Sequence, residues 1–365
     1  MTGAIHQFVA CAEAGAVGDH AVRLQRLIHE ELGLPSEIFA SVIRDSFPGQ
    51  VKPLSSHPDL AGPGDRALYH LAIGSDVADY LLARPEPLAV YYHNLTPLRY
   101  VRPWDPAATY GVEWGLRQAE DLARRAEWAM APSTFSAHEL HQLGYGDITT
   151  LPLLIDLEGR ASETDDSYER QLCTGREGRG SDWLFVGRLA ANKCQHRVIA
   201  AFAAYRHLYD PAARLWLVGP TSSEQYADAL ADQIEALGLE GSATVVGPVP
   251  DRRLTAHYRR ADVFVCLSEH EGFCVPILEA MWHSVPIVAL AAAAVPGTIR
   301  DAGILLPYDG RSQPGAANVA AAVRFALGSR QRETLAAAGR ARARSLAIDK
   351  TGPAVADALR RWASP

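Results

Sequence analysis

The sequence predicts an α/β fold made of two doubly wound domains, and three observations support this prediction. Strand-like and helix-like segments alternate along the chain, which is the pattern of parallel sheets covered by helices. At 365 residues the chain is too long for one small core and suits two domains. A polar segment at residues 157–182 interrupts the alternation and is therefore the expected interdomain linker.

The first domain is predicted to span residues 1–156. Its helical stretches include the amphipathic run from Asp19 to Leu32. Its predicted strands are apolar runs of the length that buried strands usually have, at residues 5–10, 36–41, 67–73, 88–93 and 126–131.

The second domain is predicted to span residues 183–345, where the alternation restarts after the polar segment. Its helical stretches include residues 224–237, and a final helix follows from about residue 346 to residue 365. Its predicted strands are again short and apolar, at residues 182–187, 213–219, 243–247, 262–268, 286–290 and 302–307.

The composition favours a globular protein of the cytoplasm. Apolar residues make up 48% and charged residues 21% of the chain, and the net charge of −7 gives no general attraction to nucleic acid. The five cysteines are scattered and have no Cys-x-x-Cys spacing, which favours a reducing compartment over a disulfide framework or a zinc site. We find no signal-peptide pattern and no apolar run long enough for a membrane span. No basic amphipathic surface segment stands out, so peripheral membrane contact is possible but not indicated.

The most informative segment is SEHEGFCVPILEAM, residues 268–281, which carries Glu271 and Glu279 eight positions apart. An apolar run precedes it, and Pro276 suits the first turn of a helix, so the segment reads as strand, tight loop and helix start. Free N–H groups at a helix start attract anions. A phosphate could therefore bind between the two carboxylates while these accept hydrogen bonds from hydroxyl groups. This arrangement suits a binding site for a nucleotide-sugar.

This segment resembles the Glu-x7-Glu signature of the retaining glycosyltransferases of family 4, a GT-B family. Residues 183–193 resemble the Gly-Arg-x4-Lys element of that family, and residues 91–94 resemble its histidine-bearing strand end. The three elements occur in the family's order, and the resemblance covers the chain from about residue 5 to about residue 345. It implies a GT-B fold, with two Rossmann-like domains facing across a cleft and a C-terminal helix that crosses back to the first domain.

The second domain would then bind the donor. Gly187 begins the loop that carries Arg188 and Lys193. The two cations could neutralise a departing diphosphate. The alternative is that they form a surface pair without a role in binding. The resemblance implies that Glu271 holds hydroxyls of the transferred sugar and that Glu279 holds the ribose of the nucleotide. The alternative for Glu279 is that it compensates the helix dipole. The backbone N–H groups around the turn would add dipoles that face the phosphates, from Gly272, Phe273, Cys274 and Val275.

The first domain offers His93 and a glycine loop. His93 ends an apolar run. The resemblance implies that it contacts the donor sugar or stabilises the oxocarbenium-like transition state. The alternative is a structural histidine that only makes hydrogen bonds within the fold. Gly15 and Gly18 resemble the family's first glycine loop, which permits close backbone approach to the donor phosphates or the acceptor. Asp19 suits a helix N-cap, and we interpret His20 as a residue of the first helical turn.

The chain contains no Asp-x-Asp motif, which metal-dependent GT-A transferases use to hold a cation on the diphosphate. We therefore expect no metal, and no cofactor other than the nucleotide-sugar co-substrate. Three departures from the family's pattern follow Glu279. Trp282 is bulky, Ser284 replaces a glycine, and Gly297 stands where the family often has a glutamate.

The sequence thus predicts a retaining glycosyltransferase that moves a hexose from a nucleoside-diphosphate sugar to an acceptor hydroxyl. The acceptor would be a polysaccharide precursor or a small natural product, with no nucleic acid as a partner. Another GT-B enzyme acting on a nucleotide sugar, such as an epimerase, and a non-catalytic GT-B partner subunit remain as alternatives.

Overall fold

The computed structural model describes residues 3–47, 49–174 and 180–364. The chain divides into two compact units. Unit 1 comprises Met1–Arg102, Pro106–Ile155 and Leu346–Pro365, and unit 2 comprises Pro103–Asp105 and Asp156–Ser345.

The strands in chain order are β1 (Ile5–Ala12), β2 (Ile38–Ile43), β3 (Lys52–Pro53), β4 (Arg66–Leu71), β5 (Leu88–Tyr92), β6 (Trp128–Ala131), β7 (Ile148–Thr150), β8 (Asp182–Val186), β9 (Arg214–Val218), β10 (Ala243–Gly247), β11 (Val263–Cys266), β12 (Ile287–Leu290) and β13 (Ile304–Leu306).

The α-helices in chain order are α1 (Ala16–Leu27), α2 (His57–Leu60), α3 (Asp76–Leu82), α4 (Leu98–Val101), α5 (Pro106–Arg125), α6 (Thr134–Gln142), α7 (Leu157–Ala161), α8 (Asp166–Cys173), α9 (Gln195–Leu208), α10 (Glu224–Ala236), α11 (Asp251–Arg260), α12 (Val275–Trp282), α13 (Val295–Ile299), α14 (Ala316–Ala326), α15 (Ser329–Ser345) and α16 (Ile348–Ala363). Within the described residues, no helix combines the length and the apolar character needed to cross a bilayer.

Unit 1 is a seven-stranded parallel sheet in the order β3-β2-β1-β4-β5-β6-β7. The order reverses between β1 and β4, so their carboxyl ends form the topological switch point where doubly wound sheets bind ligands. The central strands are buried, as the whole of β5 shows, because helices cover both faces. The sequence analysis missed β3 and β7, which have only two and three residues and carry no continuous apolar run.

Unit 2 is a six-stranded parallel sheet in the order β10-β9-β8-β11-β12-β13. Each of its strands overlaps a predicted one, and the switch point lies between β8 and β11. Trp183 and Phe185 of β8 and Phe202 of α9 are fully buried in its core. The predicted α/β fold with two doubly wound units is therefore confirmed.

The structure differs from the predicted linker at residues 157–182. Within it, α7 and α8 belong to unit 2 and contact α11, and β8 begins at Asp182. Each helix buries one leucine, and polar contacts supply the remaining anchorage, such as the bond between the Tyr168 hydroxyl and His257 Nε2 at 3.0 Å. A low apolar content therefore did not mark a linker here. Residues 175–179 of the predicted linker lie outside the described residues.

The last helix, α16, belongs to unit 1. Its Trp362 ring lies 5.8 Å from the Trp128 ring, and the Arg66 guanidinium lies 5.3 Å from the Trp362 ring centroid. Val355 and Leu359 on the same helix are fully buried. The helix is therefore an integral part of the core of unit 1.

Gly219, just after β9, supports the loop that follows β8, and this contact gives a testable prediction. A Cβ atom at Gly219 would lie 2.2 Å from the Gly187 carbonyl oxygen, and the φ of Gly219 is +145°. We expect Gly219→Ala to lower the free energy of unfolding by about 3 kcal/mol, because the clash displaces backbone rather than a flexible side chain.

Gly238→Ala is the matched control, because Gly238 also has a positive φ of +62° but would place its Cβ in open space. Urea titration measures both variants, and we expect Gly238→Ala to lose only about 1 kcal/mol of unfolding free energy. Equal losses in the two variants would contradict the steric role of Gly219.

Candidate active site

The candidate site of unit 2 lies at its topological switch point. β8 and β11 are adjacent, with Val263 paired to Trp183, and their carboxyl ends meet at one edge of the sheet. The loop after β8 carries Arg188 and Lys193, and the loop after β11 carries Glu271. The fold therefore brings together residues that lie about 80 positions apart in the chain.

Lys193 and Glu271 form the central contact of this site. The Lys193 Nζ atom lies 2.6 Å from both carboxylate oxygens of Glu271, and the two side chains are only 17% and 8% exposed. Burial is the largest single influence on the pKa of Lys193 and lowers it, but the Glu271 carboxylate and the Cys274 thiol together outweigh burial, so the pKa is raised above its ordinary value. Lys193 is therefore a permanent cation next to a fixed carboxylate.

Asn192 ties the two loops together. Its side-chain amide donates to the His270 carbonyl oxygen at 3.0 Å, and the Glu269 backbone N–H donates to the Asn192 carbonyl oxygen at 2.9 Å. Asn192 is buried. The sequence analysis did not single it out, although a buried asparagine just before Lys193 needs such partners.

Arg188 lies at the start of the same loop with an exposed side chain. The Gln195 side-chain amide donates to its backbone carbonyl oxygen at 2.8 Å and so fixes the loop's path. Gly187 precedes it with a φ of 152°, a conformation that L side chains rarely adopt. Arg188 is near enough for its charge to lower the pKa of Lys193, so the loop concentrates positive charge at one point.

The predicted anion-binding turn runs from Glu271 into α12, through Gly272 and Phe273. Cys274 precedes the helix in a left-handed conformation with a φ of 69°, and Val275 is the first helical residue. The Thr298 hydroxyl donates to the Phe273 carbonyl oxygen at 2.6 Å. Thr298 of α13 therefore holds the turn in place.

Glu279 lies at the start of the second turn of α12 and is buried. Its Oε1 atom forms an ion pair with Arg160 of α7, and the Tyr258 hydroxyl donates to Oε2 at 2.8 Å. Neither partner was recognised from the sequence, because both lie far from Glu279 in the chain. The carboxylate also borders a small pocket, whose walls include Leu157, Thr255, Trp282 and His283.

Two thiols lie directly beside Glu271. The Sγ atoms of Cys266 and Cys274 are 3.9 Å apart, and they lie with a Glu271 carboxylate oxygen within 4.8 Å of one another. These three buried groups could hold a soft metal ion. The Glu271 member of this group also contacts the Lys193 ammonium.

Unit 1 gathers three histidines near the ends of its central strands. His93 directly follows β5, and its Nε2 atom lies 2.9 Å from Nδ1 of His70 on β4. His70 Nε2 in turn lies 2.9 Å from the Gln7 side-chain oxygen on β1. Burial lowers the pKa of His70 to about 3 and that of His93 well below its ordinary value, so both rings are neutral near pH 7.

His20 is the third member of this cluster, and our interpretation of it as a first-turn residue was wrong. α1 begins at Ala16, which places His20 in the second turn, where it is fully buried. The Leu154 backbone N–H donates to His20 Nδ1 at 3.0 Å, and its ring lies 5.6 Å from that of His93.

Asp19 is likewise not the N-cap, because Gly15 takes that position. Gly15 has a φ of 139°, which lets the chain turn into the helix earlier than predicted. Gly18 lies inside the first turn, where a Cβ atom would come within 2.1 Å of the Glu13 carbonyl oxygen. Both glycines therefore shape the loop after β1, at the switch point of unit 1.

Glu139 is a further residue that the sequence analysis missed. The side-chain amide of Asn94, the residue after His93, donates to Glu139 Oε2 at 2.6 Å. Burial raises the pKa of Glu139 to about 7, even though its hydrogen bonds oppose the shift. Perturbed carboxyl groups of this kind cluster at functional sites.

Comparisons with known proteins agree with this geometry. Residues 175–339 match the family model described as glycosyl transferases group 1. The chain is 28% identical over 344 residues to a GDP-mannose-dependent α-mannosyltransferase of Mycolicibacterium smegmatis, an alignment that covers 90% of this chain and 76% of that protein. It is 34% identical over 176 residues to a D-inositol 3-phosphate glycosyltransferase of Geodermatophilus obscurus, covering 46% of this chain and 37% of that protein.

Solved structures show the same fold. HepE of Anabaena in complex with UDP has a TM-score of 0.74 at 17% identity, covering 98% of this chain and 100% of that one. Sucrose-phosphate synthase of Thermosynechococcus elongatus also has a TM-score of 0.74 at 17% identity, covering 98% of this chain and 99% of that one.

Two Rossmann-like units and a charged site at the switch point of the second define a GT-B glycosyltransferase that uses a nucleotide sugar. Residues 175–339, which contain the loops of this site, match the glycosyl transferases group 1. This match agrees with the family resemblance of the Glu-x7-Glu segment.

Glu139 gives a prediction on pH dependence. Its pKa rises from 4.5 to about 7 on folding, so the folded state holds the proton more tightly between these values. Stability from this group is therefore fully present below the unfolded pKa and is lost as the pH rises through the folded pKa. We expect Glu139→Gln to remove this loss and to gain about 2 kcal/mol relative to the wild type between about pH 5 and about pH 8.

Urea titrations at both pH values measure this difference. Glu120→Gln on the exposed side of α5 is the matched control and should follow the wild type. Parallel pH profiles for wild type and Glu139→Gln would contradict the raised pKa.

Proposed function

We propose that this glycosyltransferase is retaining and moves a hexose from a nucleoside-diphosphate sugar to an acceptor hydroxyl. The Lys193–Glu271 ion pair at the switch point of unit 2 carries the proposal, because it sets a cation and a carboxylate side by side in a buried place. The acceptor would be a polysaccharide precursor or a small natural product. The reaction would take place in the cytoplasm, which the five free cysteines favour.

The donor's diphosphate would meet the positive loop after β8. Arg188 supplies an exposed guanidinium, and Lys193 supplies an ammonium group that Glu271 already holds in position. The start of α12 adds backbone N–H dipoles. Preorganised donors of this kind each contribute a few kcal/mol at the transition state, so these cations would replace a metal ion on the leaving diphosphate.

Glu271 would accept hydrogen bonds from hydroxyls of the transferred hexose. Each carboxylate oxygen accepts more than one hydrogen bond, so contact with Lys193 leaves acceptor capacity for the sugar. Because Lys193 holds both oxygens, the carboxylate has little freedom to rotate. This fixed orientation is what sugar positioning requires.

Glu279 would hold the ribose of the nucleotide. Arg160 and Tyr258 each occupy one of its oxygens, and the remaining lone pairs can accept the ribose hydroxyls. The ion pair also gives Glu279 a structural role, since it ties α7 to α12. The position of Glu279 beyond the first turn and its ion pair with Arg160 favour this role over helix-dipole compensation.

The chemical step would exchange one glycosidic bond for another on the same face of the sugar. The bond from the anomeric carbon to the diphosphate oxygen breaks, and the acceptor oxygen forms the new bond. The acceptor's proton passes to the departing phosphate oxygen. His93 of unit 1 would contact the hexose and stabilise its oxocarbenium-like state.

The test is nucleoside diphosphate release from a panel of donors, with and without candidate acceptors. GDP-mannose heads the panel because a relative that aligns over 90% of this chain depends on it. UDP-glucose follows because HepE of Anabaena was solved with this donor. We expect one donor to be hydrolysed slowly and Glu271→Ala to reduce that rate about 100-fold, the usual loss for a transition-state contact.

Glu240→Ala, on the exposed surface of unit 2, is the matched control and should retain the wild-type rate. Direct binding measurements accompany the assay, because a missing acceptor can silence turnover. Donor binding without turnover under any acceptor would favour a non-catalytic subunit, and conversion of the donor without release of diphosphate would favour an epimerase. Absence of both binding and turnover would overturn the proposal.

A further inference from the structure

Gln7, His70 and His93 form a hydrogen-bonded row across the sheet of unit 1. They lie on β1, on β4 and directly after β5, three strands that neighbour each other in that order. The Gln7 oxygen is 2.9 Å from His70 Nε2, and His70 Nδ1 is 2.9 Å from His93 Nε2. Gln7 and His70 are buried, whereas His93 at the end of the row is partly exposed.

The chemistry at the start of this row fixes the direction of every bond in it. The Gln7 Oε1 atom can only accept, so the proton of His70 must be on Nε2. The amide nitrogen of Gln7 points to Ser36 Oγ at 3.4 Å, which agrees with this orientation. A neutral imidazole carries one N–H group, so His70 Nδ1 is a bare lone pair.

His93 must therefore donate from Nε2 to His70 Nδ1, since two lone pairs cannot share a hydrogen bond. The Nδ1 atom of His93 is then the bare acceptor. Burial and the neighbouring imidazoles keep the pKa of His93 low, so the ring does not gain a second proton near pH 7.

The surrounding groups do not disturb this row. The Tyr91 hydroxyl, whose ring lies 4.9 Å from that of His93, donates to the Leu151 carbonyl oxygen at 2.5 Å. His20 takes the Leu154 backbone N–H on its own Nδ1. Both side chains therefore pack against the row through their rings and use backbone groups as partners.

We propose that Gln7 and His70 are positioning residues that hold His93 in the Nε2–H tautomer, so that His93 presents a bare Nδ1 acceptor to a hydroxyl of the transferred hexose. This inference rests on the proposed function, which brings His93 to the donor sugar. The Nδ1 lone pair accepts a hydrogen bond from a hydroxyl group but repels a carboxylate. A deoxy carbon offers it no hydrogen-bond donor. The row therefore selects donor sugars that carry a hydroxyl at the contacted carbon.

The tautomer can be read without substrate. Nitrogen-15 spectra of the full chain with labelled histidine distinguish a protonated from a bare ring nitrogen, and His93→Gln and His70→Gln assign the signals. We expect protonated Nε2 and bare Nδ1 for both His70 and His93. A protonated Nδ1 on His93 in the wild type would overturn the proposal.

Variants of His70 then test the positioning role. His70→Leu removes the acceptor, whereas His70→Asn keeps an amide oxygen near the former position of Nδ1. We expect His70→Leu to give a mixture of His93 tautomers and to lower kcat about 10-fold, with an unchanged Kd for the nucleoside diphosphate. His70→Asn should restore the single tautomer and most of kcat, which a purely structural role would not predict.

Gln7→Leu provides a second variant of similar volume if His70→Leu fails to fold, and His138→Gln on the surface of α6 is the matched control. Donors that lack one hydroxyl identify the contacted ring position. At that position only, the rates of the wild type and of His70→Leu should differ less than they do with the complete donor. The expected tautomer combined with an unchanged kcat in His70→Leu and Gln7→Leu would overturn the positioning role. Absence of turnover with every donor would overturn the proposed function and the sugar contact, while the spectra would still report the tautomer.

Discussion

The site of unit 2 depends on one ion pair. Lys193 and Glu271 come from loops after neighbouring strands, and each would be unfavourable to bury without the other. Their contact fixes where the positive loop meets the turn that leads into α12. Asn192 and Thr298 hold the two backbones around it, so the pair lies in a frame that is rigid before any ligand arrives.

The fold could be predicted from the sequence because apolar runs of strand length alternate with amphipathic helices. The strands that the sequence analysis missed, β3 and β7, are too short to form such a run. The polar residues of α7 and α8 misled it, because these helices are held by caps such as Asp156 and Asp165 and by side-chain contacts with α11. Contacts of that kind leave no periodic pattern in the sequence.

The same distinction applies to the sites. Arg188, Lys193 and Glu271 stand in a recognisable spacing at strand ends, so the sequence alone predicts that they lie at one edge of the sheet. Arg160 and Tyr258 meet Glu279 only because α7, α11 and α12 converge. Gln7 and His70 look like ordinary strand residues, and only the pairing of β1, β4 and β5 reveals that they lead to His93.

Two helices of unit 2 are preceded by cysteines in the left-handed conformation, Cys194 before α9 and Cys274 before α12. Glycine adopts this conformation without strain, whereas a residue with a Cβ atom pays about 1 kcal/mol or more. The two positions directly follow Lys193 and the turn after Glu271. Two strained backbone positions of unit 2 therefore lie directly beside the residues that form its ion pair.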